Sequence, residues 1–140
     1  MFRQPTPRIQ GLALNLLRIM SGFLLIPHGA QKLFGLFGGF GGQPGAKAPL
    51  FSLIGLAGVL EFFGGLAILL GLFTRPVAFI LSGFMAVAYF MGHAPKGFWP
   101  LLNRGELAVL YSFVFLFLAA AGGGGISIDG LLLKTKKRHL

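Results

Sequence analysis

The chain has 140 residues, of which 55% are hydrophobic and only 11% charged, with a mean hydropathy of +0.81. Soluble domains average about a quarter charged residues, so this composition with four long apolar runs excludes an ordinary soluble fold and points to an all-α membrane protein. The net charge of +9 is no nucleic-acid signature, because the basic residues flank hydrophobic runs, where anionic lipid and topology account for them.

Residues 1–10 are polar, with Arg3, Arg8, Pro5 and Pro7. They resemble the start of a signal peptide, but the apolar run that follows is long and lacks an A-x-A cleavage site, which predicts a retained first helix. That helix is expected over 12–34, with a kink at Pro27. Arg18, Ser21, Leu25, His28 and Lys32 recur at steps of three and four and therefore share one stripe. Ionisable groups at such depth face a protein interior or a water-filled cavity.

The glycine-rich stretch 35–49 lacks the lysine placement and preceding strand of a phosphate-binding loop, and reads as an interfacial loop. A second helix is expected over 51–73. Ala57, Gly64 and Gly71 recur every seven residues, with Gly58 and Gly65 beside them, which forms a seam for close packing in lipid. Glu61 falls on this face near mid-span. An acid there costs about 2.5–3.5 kcal/mol on insertion scales unless it is neutral, paired or hydrated.

Residues 74–76 form a tight connection, and Pro76 suits the first turn of a third helix, expected over 77–92. Ser82, Ala86 and His93 lie on one stripe of it. Residues 94–104 form a second loop with Trp99, a residue type enriched at membrane interfaces. A fourth helix is expected over 105–121, with Glu106 in its first turn complementing the helix dipole. Glycines 122–125 end it. The run from Ser127 suggests a short interfacial helix that leads to a basic tail.

Four spans put both termini on one side. The tails and the 74–76 turn hold seven Lys or Arg (Arg3, Arg8, Arg75, Lys134, Lys136, Lys137 and Arg138), and the other loops hold Lys47, Lys96 and Arg104. The positive-inside rule then places both termini in the cytoplasm. On that topology His28, Lys32, His93, Trp99, Asn103, Arg104 and Glu106 gather toward the outer side. Arg18 lies in the inner half, with Glu61 between the layers.

The titratable inventory near neutral pH is three acids (Glu61, Glu106, Asp129) and three histidines (His28, His93, His139), which fits no multi-carboxylate metal site. With no cysteine, the chain holds no disulfide, thiol relay or cysteine-ligated cluster of its own. Two arrangements satisfy the polar residues. Lys32 or His28 pairs with Glu106 while Arg18 reaches toward Glu61, which fixes the packing. Alternatively the outer cluster lines a pocket for a polar headgroup such as a quinone ring, with His28 or His93 exchanging protons. A haem held by His28 and His93 is the narrowest version, and it needs both at equal depth.

Arg18, PHGAQKLFG (27–35), LEFFGGLAILLGLFTRPVA (60–78), His93 with GFWP (97–100) and NRGELAVLYSFVFLFLAAAGGGGISIDGLL (103–132) together resemble the DoxX family of small bacterial inner-membrane proteins. The likeness runs from about residue 12 to residue 132. It implies a single domain over 1–140, a bundle of four transmembrane helices and an inner-membrane location. It also implies a role as membrane subunit of a quinone-linked oxidoreductase, with a membrane or peripheral redox partner. The family's polar motif positions fall on Arg18, His28, Lys32, Glu61, Arg75, His93, Asn103 and Glu106. A non-catalytic assembly subunit, and an oligomeric pathway for protons or small molecules along Arg18, Glu61 and Lys32, remain the alternatives.

Overall fold

A computed structural model describes residues 7–138; Arg3 and His139 lie outside them, and no side-chain position is given for Lys137 or Arg138. The described residues are helical with no strands: α1 Pro7–Phe34, α2 Leu53–Leu70, α3 Thr74–Gly92, α4 Glu106–Ala121 and α5 Ile128–Arg138. Short turns at Phe40–Gly42, Ala94–Lys96 and Pro100–Asn103 punctuate the loops.

Three helical stretches, Pro7–Phe34, Leu53–Leu70 and Thr74–Lys96, are long and apolar enough to cross a membrane. The fourth apolar helix, α4, has 16 residues and so spans roughly 24 Å at ~1.5 Å per residue, short of a ~30 Å hydrocarbon core.

The helix ends differ from the sequence expectation for local reasons. α1 begins at Pro7 rather than residue 12, because proline is at home in a helix's first turn and nothing in Arg8–Gly11 breaks the run. The helix continues through Pro27 without interruption. α2 starts two residues later than expected because Ser52 caps it, accepting from the Gly55 amide at 3.0 Å. It stops at Leu70 because Gly71 adopts the left-handed conformation (φ 68). The Leu72 amide bonds to the Ala67 carbonyl and the Gly71 amide to the Ile68 carbonyl, which is a Schellman ending. Gly71 is therefore a helix stop as well as a point of close approach, since a Cβ there would lie 3.1 Å from Arg18 Cζ of α1. α3 starts at Thr74, three residues before the expected position, since Phe73 (φ 47) turns the chain and Asp129 caps the first amides. The capped helix expected after Ser127 is present as α5, with the Ser127 hydroxyl accepting from the Gly130 amide at 3.0 Å.

α1 packs along α2, α3 packs along α4, and α2 joins the two pairs by its contact with α3. The first seam is glycine against backbone. A Cβ on Gly22 would lie 2.5 Å from the Leu69 nitrogen and 2.6 Å from the Gly65 oxygen; one on Gly29 would lie 2.7 Å from the Gly58 oxygen. The antiparallel register thus sets Gly22 against Gly65 and Gly29 against Gly58. Gly64, assigned to the same seam from sequence, turns instead to Leu81 of α3. The second pair is tied by reciprocal bonds, Ser82 hydroxyl to Ser112 carbonyl (2.8 Å) and Ser112 hydroxyl to Ser82 carbonyl (3.1 Å). The core between the pairs is Leu25, Ile68, Ala78, Leu81, Met85, Tyr111, Phe115 and Leu118.

Candidate functional site: a charged cavity between the helix pairs

The stripe on α1 does face inward. Arg18, Ser21 and Leu25 are buried and Lys32 is partly buried, whereas His28 is exposed at the edge. Its two ends serve different purposes, because the glycine register sends them to different partners.

Arg18 lies opposite the end of α2. Its guanidinium donates to the carbonyls of Gly123 (2.8 Å), Ile68 (2.7 Å), Leu69 and Ile126. Carbonyls at a helix C-terminus carry partial negative charge and those of the loop add further acceptors, so the guanidinium is hydrogen-bonded without an ion pair. The expected reach from Arg18 to Glu61 does not occur: Glu61 sits beyond Gly65 on α2, level with the other end of the stripe. Asn15, one step back along the stripe, joins the clasp by accepting from the Ile126 amide at 3.1 Å. The three-residue spacing from Arg18 was the sequence signal for it.

Glu61 pairs with Lys32. The Lys32 ammonium lies 2.6 Å from Glu61 Oε2, with the side chains only 19% and 11% exposed respectively. Glu61 is carried on a widened π-helical turn, Leu60–Gly64, inside α2. Such turns are rare and concentrate at functional sites. Lys32 also donates to the His28 carbonyl at 3.2 Å. An ammonium has three donors, so one is left over.

That remaining donor belongs to the wall of a cavity of about 320 Å³, lined by His28, Lys32, Glu61, His93, Arg104 and Tyr111 with apolar Leu25, Met85, Ala88, Leu107 and Ala108. The helices α1, α2, α3 and α4 all contribute to it. The structure therefore brings together five of the sequence-expected residues: His28, Lys32, Glu61, His93 and Arg104. Tyr111 was missed, although Arg104, Leu107, Ala108 and Tyr111 follow the same three-and-four spacing that marked the α1 stripe.

The other expected members fall outside the cavity. Glu106 is exposed on another face of α4, two residues from Ala108, so its expected pairing with Lys32 or His28 fails. Trp99 is 66% exposed and stacks edge-on against Phe98. Asn103 is buried but structural. Its amide donates to the Gly97 carbonyl (2.7 Å) and Tyr89 hydroxyl (3.2 Å), and its oxygen accepts from the Gly105 amide (2.8 Å). It still shapes the site: the Asn103 carbonyl sits 3.0 Å from His93 Nδ1. A carbonyl only accepts, so Nδ1 carries the proton, and Nε2 of the neutral ring is left as an acceptor or ligand.

The DoxX family model matches residues 13–94, a stretch that holds Arg18, His28, Lys32, Glu61 and His93. The chain belongs to the DoxX family. An uncharacterized protein of Haemophilus influenzae is 43% identical over 86% of this DoxX chain and 91% of its own length. An Escherichia coli relative described as inner membrane protein YqjF is 34% identical over 91% of the chain and 97% of its own length. No solved structure matches.

Proposed function

We propose that this DoxX protein is the membrane subunit of a quinone-linked oxidoreductase system, and that the Lys32–Glu61 cavity receives the quinone headgroup. The observation that carries this reading is the leftover hydrogen-bonding capacity of the cavity. Lys32 has one donor beyond Glu61 and His28, His93 Nε2 is not used by the Nδ1 contact, and Tyr111 offers a hydroxyl. A quinone ring presents carbonyl acceptors when oxidised and hydroxyl donors when reduced, and it exchanges two electrons and two protons between those forms. The cavity can serve both forms. Its apolar residues Leu25, Met85, Ala88, Leu107 and Ala108 suit the flat ring, and pockets of ~300 Å³ and above hold small ligands.

In this reading Lys32 orients a ring oxygen. Glu61 holds the Lys32 side chain in place at 2.6 Å. His93, held in one tautomer by Asn103, accepts a proton at Nε2 or returns it. Electrons come from a membrane or peripheral partner protein. The bundle has four spans, with α4 extended by the preceding Pro100–Asn103 turn, and both termini face the cytoplasm of a bacterial inner membrane. The name of the E. coli relative supports that location. The pathway alternative loses support, because Arg18 is held by carbonyls and does not line the cavity with Lys32 and Glu61.

The test is to purify the full chain from membranes, record its visible spectrum, and identify bound lipophilic molecules by mass spectrometry. Stoichiometric quinone is expected, lost in His28→Ala and Lys32→Ala with helicity intact. Only bulk phospholipid in the wild-type protein would favour the non-catalytic assembly subunit. A Soret band would favour haem at His28 and His93.

A further inference from the structure

We propose that the opposite end of the bundle holds a separate site for the phosphate of an anionic phospholipid, with Arg75 as its anchor. A cavity of about 470 Å³ lies there, walled by Thr74, Arg75, Gly122, Asp129, Leu132 and Leu133 among others. It lies among the start of α3, the end of α4 and the start of α5, at the end of the helices where a membrane surface meets them.

Arg75 is exposed and makes no hydrogen bond or ion pair among the described residues. Its guanidinium offers a fork of N–H donors that matches a phosphate. The nearby acid does not neutralise it. Asp129 directs one carboxylate oxygen to the Phe73 amide (2.9 Å) and the other to the Thr74 amide (2.8 Å). That carboxylate is committed to the first turn of α3. Gly122 makes room for the guanidinium: a Cβ there would lie 3.3 Å from Arg75 Nε.

A second, independent feature points the same way. Thr74 is fully buried in the cavity wall, and its hydroxyl is a buried side-chain polar atom with no partner among the described residues. Burying an unpaired hydroxyl is unfavourable, so a rotation of the Thr74 side chain toward a polar group held in this cavity would relieve it.

The surroundings select a lipid over a free anion. Leu132 and Leu133 line the cavity at 58% and 63% exposure, and Phe73, at 65%, lines it too. These side chains offer an acyl chain a surface beside the phosphate. The exposed Lys134 and Lys136 follow directly on α5. An apolar triplet followed by basic residues on one short helix suits the boundary between headgroups and acyl chains.

The experiment uses the full chain in detergent, with native mass spectrometry to count retained phosphatidylglycerol against phosphatidylcholine of the same acyl chains. Wild-type protein should retain the anionic lipid preferentially. Arg75→Gln should lower that preference roughly fivefold, the effect of one basic residue near a lipid surface. Lys47→Gln, on the glycine-rich loop, should leave it unchanged. Equal retention of the two lipids by wild type overturns the proposal without recourse to any variant. So does an unchanged preference in Arg75→Gln. Displacement of the lipid by millimolar inorganic phosphate at constant ionic strength also overturns it, since the site would then be one for a free anion.

Discussion

Replacing Lys32 with methionine should destabilise the protein by about 3 kcal/mol. Breaking a buried ion pair from one side typically costs ~3–5 kcal/mol, because the abandoned charge stays in a low-dielectric site. The low end applies here, since the Lys32 and Glu61 side chains keep 19% and 11% exposure. Glu61→Leu should cost a similar amount by stranding the ammonium. The double variant, Lys32→Met with Glu61→Leu, should return to within about 1 kcal/mol of wild type, because apolar replacement of both partners removes the desolvation cost along with the attraction. The assay is equilibrium unfolding in mixed micelles, followed by helical circular dichroism, and read as a double-mutant cycle. A 3 kcal/mol loss is a shift of roughly a hundredfold in the folding equilibrium, well above the error of such titrations. Single penalties under 1 kcal/mol would refute a buried pair. Penalties that simply add in the double variant would show that the two charges do not interact. The double variant then isolates function from stability: it should fold and yet retain no quinone.

Arg18→Lys should cost more than 3 kcal/mol or abolish folding, read in the same titration. A compact ammonium cannot reach the carbonyls of Ile68, Leu69, Gly123 and Ile126 together, and some buried acceptors would be left unpaired. Gly22→Ala and Gly29→Ala should each cost at least 1–3 kcal/mol, since the new Cβ meets backbone that cannot yield. Gly83→Ala in α3 meets nothing within 4 Å and should be neutral or stabilising by up to about 1 kcal/mol. Asn103→Ala should loosen the 93–105 connection, seen as faster amide hydrogen exchange at Gly105, while keeping the backbone carbonyl that His93 Nδ1 faces.

The helices and the polar face of α1 were readable because both rest on periodicity. Apolar runs of spanning length identify helices, and a three-and-four spacing identifies a face, whatever the tertiary context. Even so, the pairing partners were misassigned. Whether Glu61 meets Arg18 or Lys32 depends on how far α2 slides along α1. That slide is decided by Gly22 and Gly29 fitting against the backbone of Gly58, Gly65 and Leu69. Those two glycines are seven residues apart and could have been read as a seam, as the α2 glycines were. Gly71 does two jobs of which the spacing showed one: it lets α2 approach Arg18 closely, and its left-handed backbone also ends the helix. The π turn around Glu61 had no signal, since it is a shift in hydrogen-bonding register that no residue type marks. Glu106 was placed by depth alone, and depth says nothing about which side of α4 a residue occupies.

Both charged layers resist burial, and the way each is satisfied distinguishes structure from function. Arg18 meets the Ile68 and Leu69 carbonyls at the end of α2 and the Gly123 and Ile126 carbonyls of the loop after α4, with every hydrogen bond internal to the chain. Such an arrangement is closed: it holds the helix ends together and has nothing left to offer a ligand. The Lys32–Glu61 layer is open. Its ammonium keeps a donor in hand, His93 keeps a ring nitrogen, and Tyr111 contributes a hydroxyl, all around one cavity. In a membrane interior, unused donors and acceptors are unfavourable unless water or a ligand meets them. A bundle needing only structural ties would have closed this layer as it closed the one at Arg18. This difference is what favours the cavity as the proposed ligand site, and the Lys32→Met with Glu61→Leu variant there should change what the protein carries, whereas variants at Arg18 should change whether it folds.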